Sequence, residues 1–147
     1  MPHTPRFVDE DAFKFLQAPA FLRWLIILMI AQLVVEVVDL AELALYTSGA
    51  RFQAHLLTWI IGFIFRLYII KALVNKWLGV RVLTFWWNAA VLVWLSREIF
   101  HLPRNYYNLL ANSANYFHAL FTLAVASLAI YVMVRPDTGK YLNDQRE

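Results

Sequence analysis

The chain contains no cysteine, which removes structural disulfides, thiol redox chemistry and cysteine-ligated zinc or iron–sulfur centres at the outset. The redox compartment is left open by the same absence. Glycine and proline are scarce, four and five in 147 residues, so the chain must be mostly regular structure with short connections. The glycines are also isolated from one another, which excludes a glycine-rich phosphate loop. Charge is thin, at 16% of residues, and the 13 Lys and Arg are scattered around apolar runs. A nucleic-acid surface would gather them on one face, so no nucleic-acid partner is expected. Ser48, Ser96, Ser113 and Ser127 lack the strand–turn–helix context of a hydrolase nucleophile, and no potassium-filter sequence is present. No complete catalytic set emerges, which argues against an enzyme.

What the chain has in abundance is apolar surface. Hydrophobic residues make up 61% and the mean hydropathy is +0.55. A soluble domain is typically about 45–50% apolar, so the excess must be buried in something besides a protein core. Four apolar segments, about 21–46, 52–74, 80–102 and 113–134, each approach the ~20 residues a helix needs to cross the hydrocarbon layer. Strands of a membrane barrel would alternate and be about half as long. The connections 47–51 and 75–79 are short, and only 103–112 is longer. Short loops make consecutive helices antiparallel neighbours. The expected fold is therefore all-α: a single integral membrane domain over 1–147, built as a four-helix transmembrane bundle.

The ends are read from local signals. Asp9 is placed to cap a helix whose first turn holds Glu10 and Asp11, where the macrodipole favours negative charge. Phe13, Phe15 and Leu16 among Lys14 and Gln17 then suggest a short interfacial helix, ended by Ala18-Pro19. A cleavable signal peptide is not expected, because no apolar region behind a basic start leads to a small-residue cleavage site. Beyond Val134, Pro136 and Gly139 are expected to stop the last helix.

Orientation follows the basic residues. Arg6, Lys14, Arg23, Arg66, Lys71, Lys76, Arg81, Arg135, Lys140 and Arg146 fall on one side, against Arg51, Arg97 and Arg104 on the other. Both termini are therefore expected to be cytoplasmic. Trp24, Trp77, Trp86 and Trp87 would mark the inner boundary, and Tyr46, Tyr106, Tyr107, Tyr116 and Trp59 the outer one. The expected location is a multi-pass position in a bacterial cytoplasmic membrane.

Chemistry concentrates in two places. The first is the acidic stripe Glu36, Asp39 and Glu42, spaced by three, which on a helix falls within roughly 120° and cannot face lipid. Arg66, near the middle of the second span, is within reach of Glu36 across an axial offset of roughly 10 Å. A lone charge at that depth costs at least about 2.5–3.5 kcal/mol, so an ion pair locking the first two spans is expected. The same residues also outline an ion or proton pathway, although an arginine does not release its proton at ordinary pH.

The second place is on the outer side. His55 and His118 begin the second and fourth spans at similar depth, as diagonal partners suited to the two axial imidazoles of haem b. Glu98 and His101 form a Glu-x-x-His on one helical face, half of the pattern used by carboxylate-bridged metal bundles. A voltage-sensing helix is excluded, because no basic residue stands between His118 and Arg135. Ala119, Thr122, Ala126 and Ala129 give the fourth span a small-residue face for close helix approach.

The functional expectation is a small non-enzymatic subunit or accessory component of a larger membrane complex, or a homo-oligomer. Its partners would be the lipid bilayer and other membrane subunits or copies of itself. The alternative is a redox protein holding haem b or a metal through the outer histidines, or an ion-conducting protein using the acidic stripe.

Overall fold

The computed structural model describes residues 7–46, 49–101 and 113–144. These residues form six helices: α1 (Phe7–Gln17), α2 (Ala20–Tyr46), α3 (Ala50–Val74), α4 (Val80–His101), α5 (Ser113–Val134) and α6 (Pro136–Asn143). No strand occurs among the described residues. Three helices contain stretches long and apolar enough to cross a membrane: Ala20–Val38, Leu56–Val74 and Phe117–Val134. In α4 the apolar stretch among the described residues is Val80–Ser96.

Helix breaks fall where the backbone chemistry requires them. Pro19 cannot donate into a preceding turn, but its carbonyl accepts from Leu22 and Arg23 and so opens α2. Gly49 and Gly79, both with positive φ, precede α3 and α4. At the end of α3 the Trp77 N–H donates to the Ala72 carbonyl at 2.9 Å and the Lys76 N–H to that of Leu73 at 3.4 Å. This is a Schellman closure, and its left-handed residue is Lys76, at φ 52°, where glycine is the usual choice.

Two terminal expectations shift. The helix at the amino end begins at Phe7, so Asp9 lies inside its first turn instead of capping it. Pro136 and Gly139 do not end helical structure; they belong to α6. The break falls at Arg135, whose extended backbone (φ −60°, ψ 135°) turns the chain, and Pro136 occupies the first turn, where a missing N–H costs nothing.

Packing closes the four long helices into a ring. Consecutive helices pack from α2 to α5, and α5 also packs along α2. The small face of α5 is used in this closure: Thr122, Ala126 and Ala129 are buried, together with Val125. Below them lies the main apolar cluster, with Leu22, Leu25 and Ile26 of α2 against Ile69 and Leu73 of α3 and Val132 and Met133 of α5. The outer faces are apolar too. Trp24, Val34, Ile61, Ile64, Val93, Trp94 and Phe117 are all at least 60% exposed.

Candidate functional site

The polar residues that an apolar exterior cannot hold converge between α2, α3 and α5. Gln32 and Glu36 are four residues apart on α2 and share its inward face; both are buried. His118 and Thr122 have the same spacing on α5. Because α2 and α5 are antiparallel, the two pairs meet as rungs. Gln32 Nε2 donates to Thr122 Oγ1 at 3.2 Å, and His118 Nε2 lies 3.9 Å from Glu36 Oε1.

From the other side, α3 supplies Trp59 and Arg66, seven residues apart and so two turns along one face. The Arg66 guanidinium pairs with Glu36 Oε1, and the two side chains keep only 14% and 8% of their surface exposed. Trp59 Nε1 donates to the Glu36 backbone carbonyl at 3.1 Å, and its ring stacks on Phe63 at 4.8 Å. Glu36 is therefore approached by three residues from two helices. Arg66 supplies the opposite charge that a carboxylate buried between helices needs, and each member of the pair would be uncompensated without the other.

A smaller polar layer lies on α4. Asn88 Nδ2 donates to the Thr84 carbonyl at 2.7 Å, while the buried Thr84 Oγ1 has no partner among the described residues.

The remaining sequence candidates are distributed as follows. The side chains of Asp39, Glu42, His55, Glu98 and His101 lie outside the described residues. With them lie the expected His55–His118 haem pair, the Glu98–His101 metal pair and the outer part of the acidic stripe. Among the described residues no group of three or more His, Asp or Glu gathers as a metal site. The sequence reading assigned Glu36 and His118 to separate groups, whereas the structure sets them side by side. It also passed over Gln32, and it took Trp59 for an outer-boundary aromatic instead of a partner of Glu36. The signal that could have found Gln32 is its spacing of four from Glu36, matched by His118 and Thr122 on the antiparallel helix.

At the opposite end of the ring a second constellation ties the helix ends together. Arg81 Nε donates to the Met133 carbonyl at 2.6 Å, and Nη2 reaches those of Val134 and Arg135 at 3.4 Å. The Met133 and Val134 carbonyls are among those a helix C-terminus leaves without intrahelical partners, that of Arg135 also accepts from the Gly139 N–H, and a cation there complements the helix dipole. Thr138 hydroxyl donates back to the Val132 carbonyl, fixing α6 against α5. The Lys76 ammonium sits 3.9 Å from the centre of the Tyr141 ring. Burial raises the Tyr141 phenol above its ordinary pKa, which keeps it neutral under that cation.

Compared with family models, with curated proteins and with solved structures, the chain matches none of them.

Proposed function

We propose that the chain is a multi-pass membrane protein whose helices α2–α5 cross the bilayer as a four-helix bundle, with both termini cytoplasmic. Its proposed role is that of a non-enzymatic integral component of a larger membrane assembly or a homo-oligomer. One observation carries this reading: the distribution of polarity is inverted relative to a water-soluble bundle. Gln32, Glu36, Thr84, Asn88 and Thr122 are buried between helices, while bulky apolar side chains such as Trp24, Val34, Ile64 and Trp94 point outward. In lipid there is no hydrophobic penalty for that exterior, and polar groups gain by facing one another. The described charges of the bundle interior are neutralised internally, which leaves broad apolar faces available for lipid or for neighbouring helices. Orientation is supported by the basic bias of the end that carries Lys71, Lys76, Arg81 and Lys140.

The test is extraction from the native membrane in mild detergent, with the mass and composition of the purified particle as the readout. The expected particle contains this chain in fixed ratio to other polypeptides, or several copies of it. A particle holding a single copy and nothing else would overturn the assembly role.

A second reading, proton or ion movement through the bundle, is favoured by the 3.9 Å approach of His118 to Glu36. Proteoliposomes of the wild-type chain would then pass protons or cations faster than those of Glu36→Gln. Equal, background leakage from both would remove that reading.

A further inference from the structure

The apolar stretches of α2, α3 and α5 each have one end, at Ala20, Val74 and Val134, at the same end of the ring. Contacts tie those ends to one another. Lys14 Nζ donates to Asn75 Oδ1 at 3.2 Å, the Arg135 guanidinium lies 4.7 Å over the Phe21 ring, and Arg81 holds the last carbonyls of α5. At this end, between the α3–α4 turn and α6, opens a cavity of about 270 Å³. Lys76, Trp77, Gly79, Arg81, Leu142 and Asn143 line it.

We infer that this cavity binds the phosphate headgroup of an anionic membrane lipid, with Lys76 and Arg81 supplying the positive field and Trp77 the interfacial contact. The inference rests on the membrane reading above.

Four observations on this end of the molecule carry it. The cavity begins two residues beyond the apolar stretch of α3, so at ~1.5 Å per residue it sits at headgroup level. Its size lies just below the roughly 300–1,000 Å³ of pockets for drug-sized ligands, which suits one compact polar group. The charge is uncompensated: the described carboxylates at this end are Glu10, Asp11, Asp137 and Asp144, and none of them lines the cavity. Glu10 and Asp137 are already paired with Lys14 and Arg135, and no carboxylate among the described residues pairs with Lys76 or Arg81. Finally, Lys76 occupies the left-handed position of the turn, where glycine or asparagine would be free of strain. The lysine held there carries its ammonium 3.9 Å from the centre of the Tyr141 ring, a neutral partner that leaves the positive charge uncancelled beside the cavity. Basic pockets between helix ends on the cytoplasmic side are suited to lipid phosphates in this way.

Lys76→Gly separates binding from folding, because it relaxes the turn while deleting the charge. The full chain, purified in mild detergent, is titrated with phosphatidylglycerol, phosphatidylcholine or inorganic phosphate, and bound molecules are counted by native mass spectrometry. Phosphatidylglycerol is expected to bind in preference to phosphatidylcholine, and Lys76→Gly to weaken it about fivefold with thermal stability little changed, the relief of the turn offsetting the lost contact with Tyr141. Lys76→Arg should restore binding, and Lys140→Gln, in α6 at the same end of the molecule but outside the cavity, should leave it unchanged. Equal loss in Lys140→Gln, or no preference over phosphatidylcholine, would overturn the site. Competition by inorganic phosphate at matched concentration would make it a free-anion site and overturn the lipid assignment. Recovery of the chain in the soluble fraction without detergent would instead sink the membrane reading itself, so the two failures are distinguishable.

Discussion

Glu36 shows how one residue's environment is set by the helices around it. Its carboxylate is buried, paired with Arg66 and approached by His118, while its backbone carbonyl accepts from Trp59. Removing one partner of a buried pair leaves the other charge uncompensated, which costs about 3–5 kcal/mol, whereas replacing both is close to neutral. Glu36→Gln is therefore expected to lower stability in detergent by about that amount, and Glu36→Gln combined with Arg66→Met by much less. Thermal denaturation of the two variants side by side checks this; a double variant no more stable than the single would count against the pair. The opposition of Glu36 and Arg66 could be read from spacing, because charges inside apolar runs stand out. Gln32 and Thr122 could not be read this way. A neutral polar residue in an apolar run carries no sign, and which helix it faces depends on the rotation of that helix and on its register with the next.

Among the elements, the corner between α5 and α6 illustrates how a turn is made rigid without a long loop. Arg81 of α4 reaches across to three carbonyls at the end of α5, and Gly139 of α6 gives it room. A Cβ at Gly139 would collide with the Arg81 guanidinium. Gly139→Ala is thus expected to lower stability by up to about 1 kcal/mol by shifting Arg81 away from the Met133 carbonyl. In an Arg81→Met background the same change should be neutral or stabilising by up to about 1 kcal/mol, since alanine is the better helix former. Equilibrium unfolding of the four combinations measures the coupling, and additivity would show that the glycine has another reason. From sequence, Pro136 and Gly139 read as helix breakers. That reading located the break but not the new helix after it, because proline in a first turn and glycine under a neighbouring guanidinium are set by context. The small face of α5 has a similar history: its spacing announced close approach, and only the packing identified α2 and α4 as what approaches.

For the whole molecule, the consequence of the proposed topology is that the N-terminus, the α3–α4 turn and the C-terminus share one side of the membrane. Reporter fusions that are active only in the cytoplasm are expected to work at both termini and at the turn near Lys76, and to fail between α2 and α3. Activity at the α2–α3 connection, with loss at the termini, would invert the arrangement. The basic residues on which this rests lie at the same end as the apolar core, while the Glu36 layer lies further along the ring. The charged pair and the Gln32–Thr122 contact thus lie away from the basic end, where the buried polar groups are the neutral Thr84, Asn88 and Thr138.

The sequence by itself determined the class of architecture: an all-helical chain with stretches apolar enough to span a membrane, interrupted near the positions where the helices end. It could do so because hydropathy and helix-breaking chemistry are local properties, summed along the chain without knowledge of what packs where. The tertiary structure decided which side chains meet: His118 beside Glu36, Gln32 beside Thr122, and Arg81 on the end of α5. Those contacts depend on the rotation of each helix about its axis and on its register against its neighbours. Both are fixed by packing and hydrogen bonding between segments as much as 90 residues apart in sequence, and no local pattern contains them.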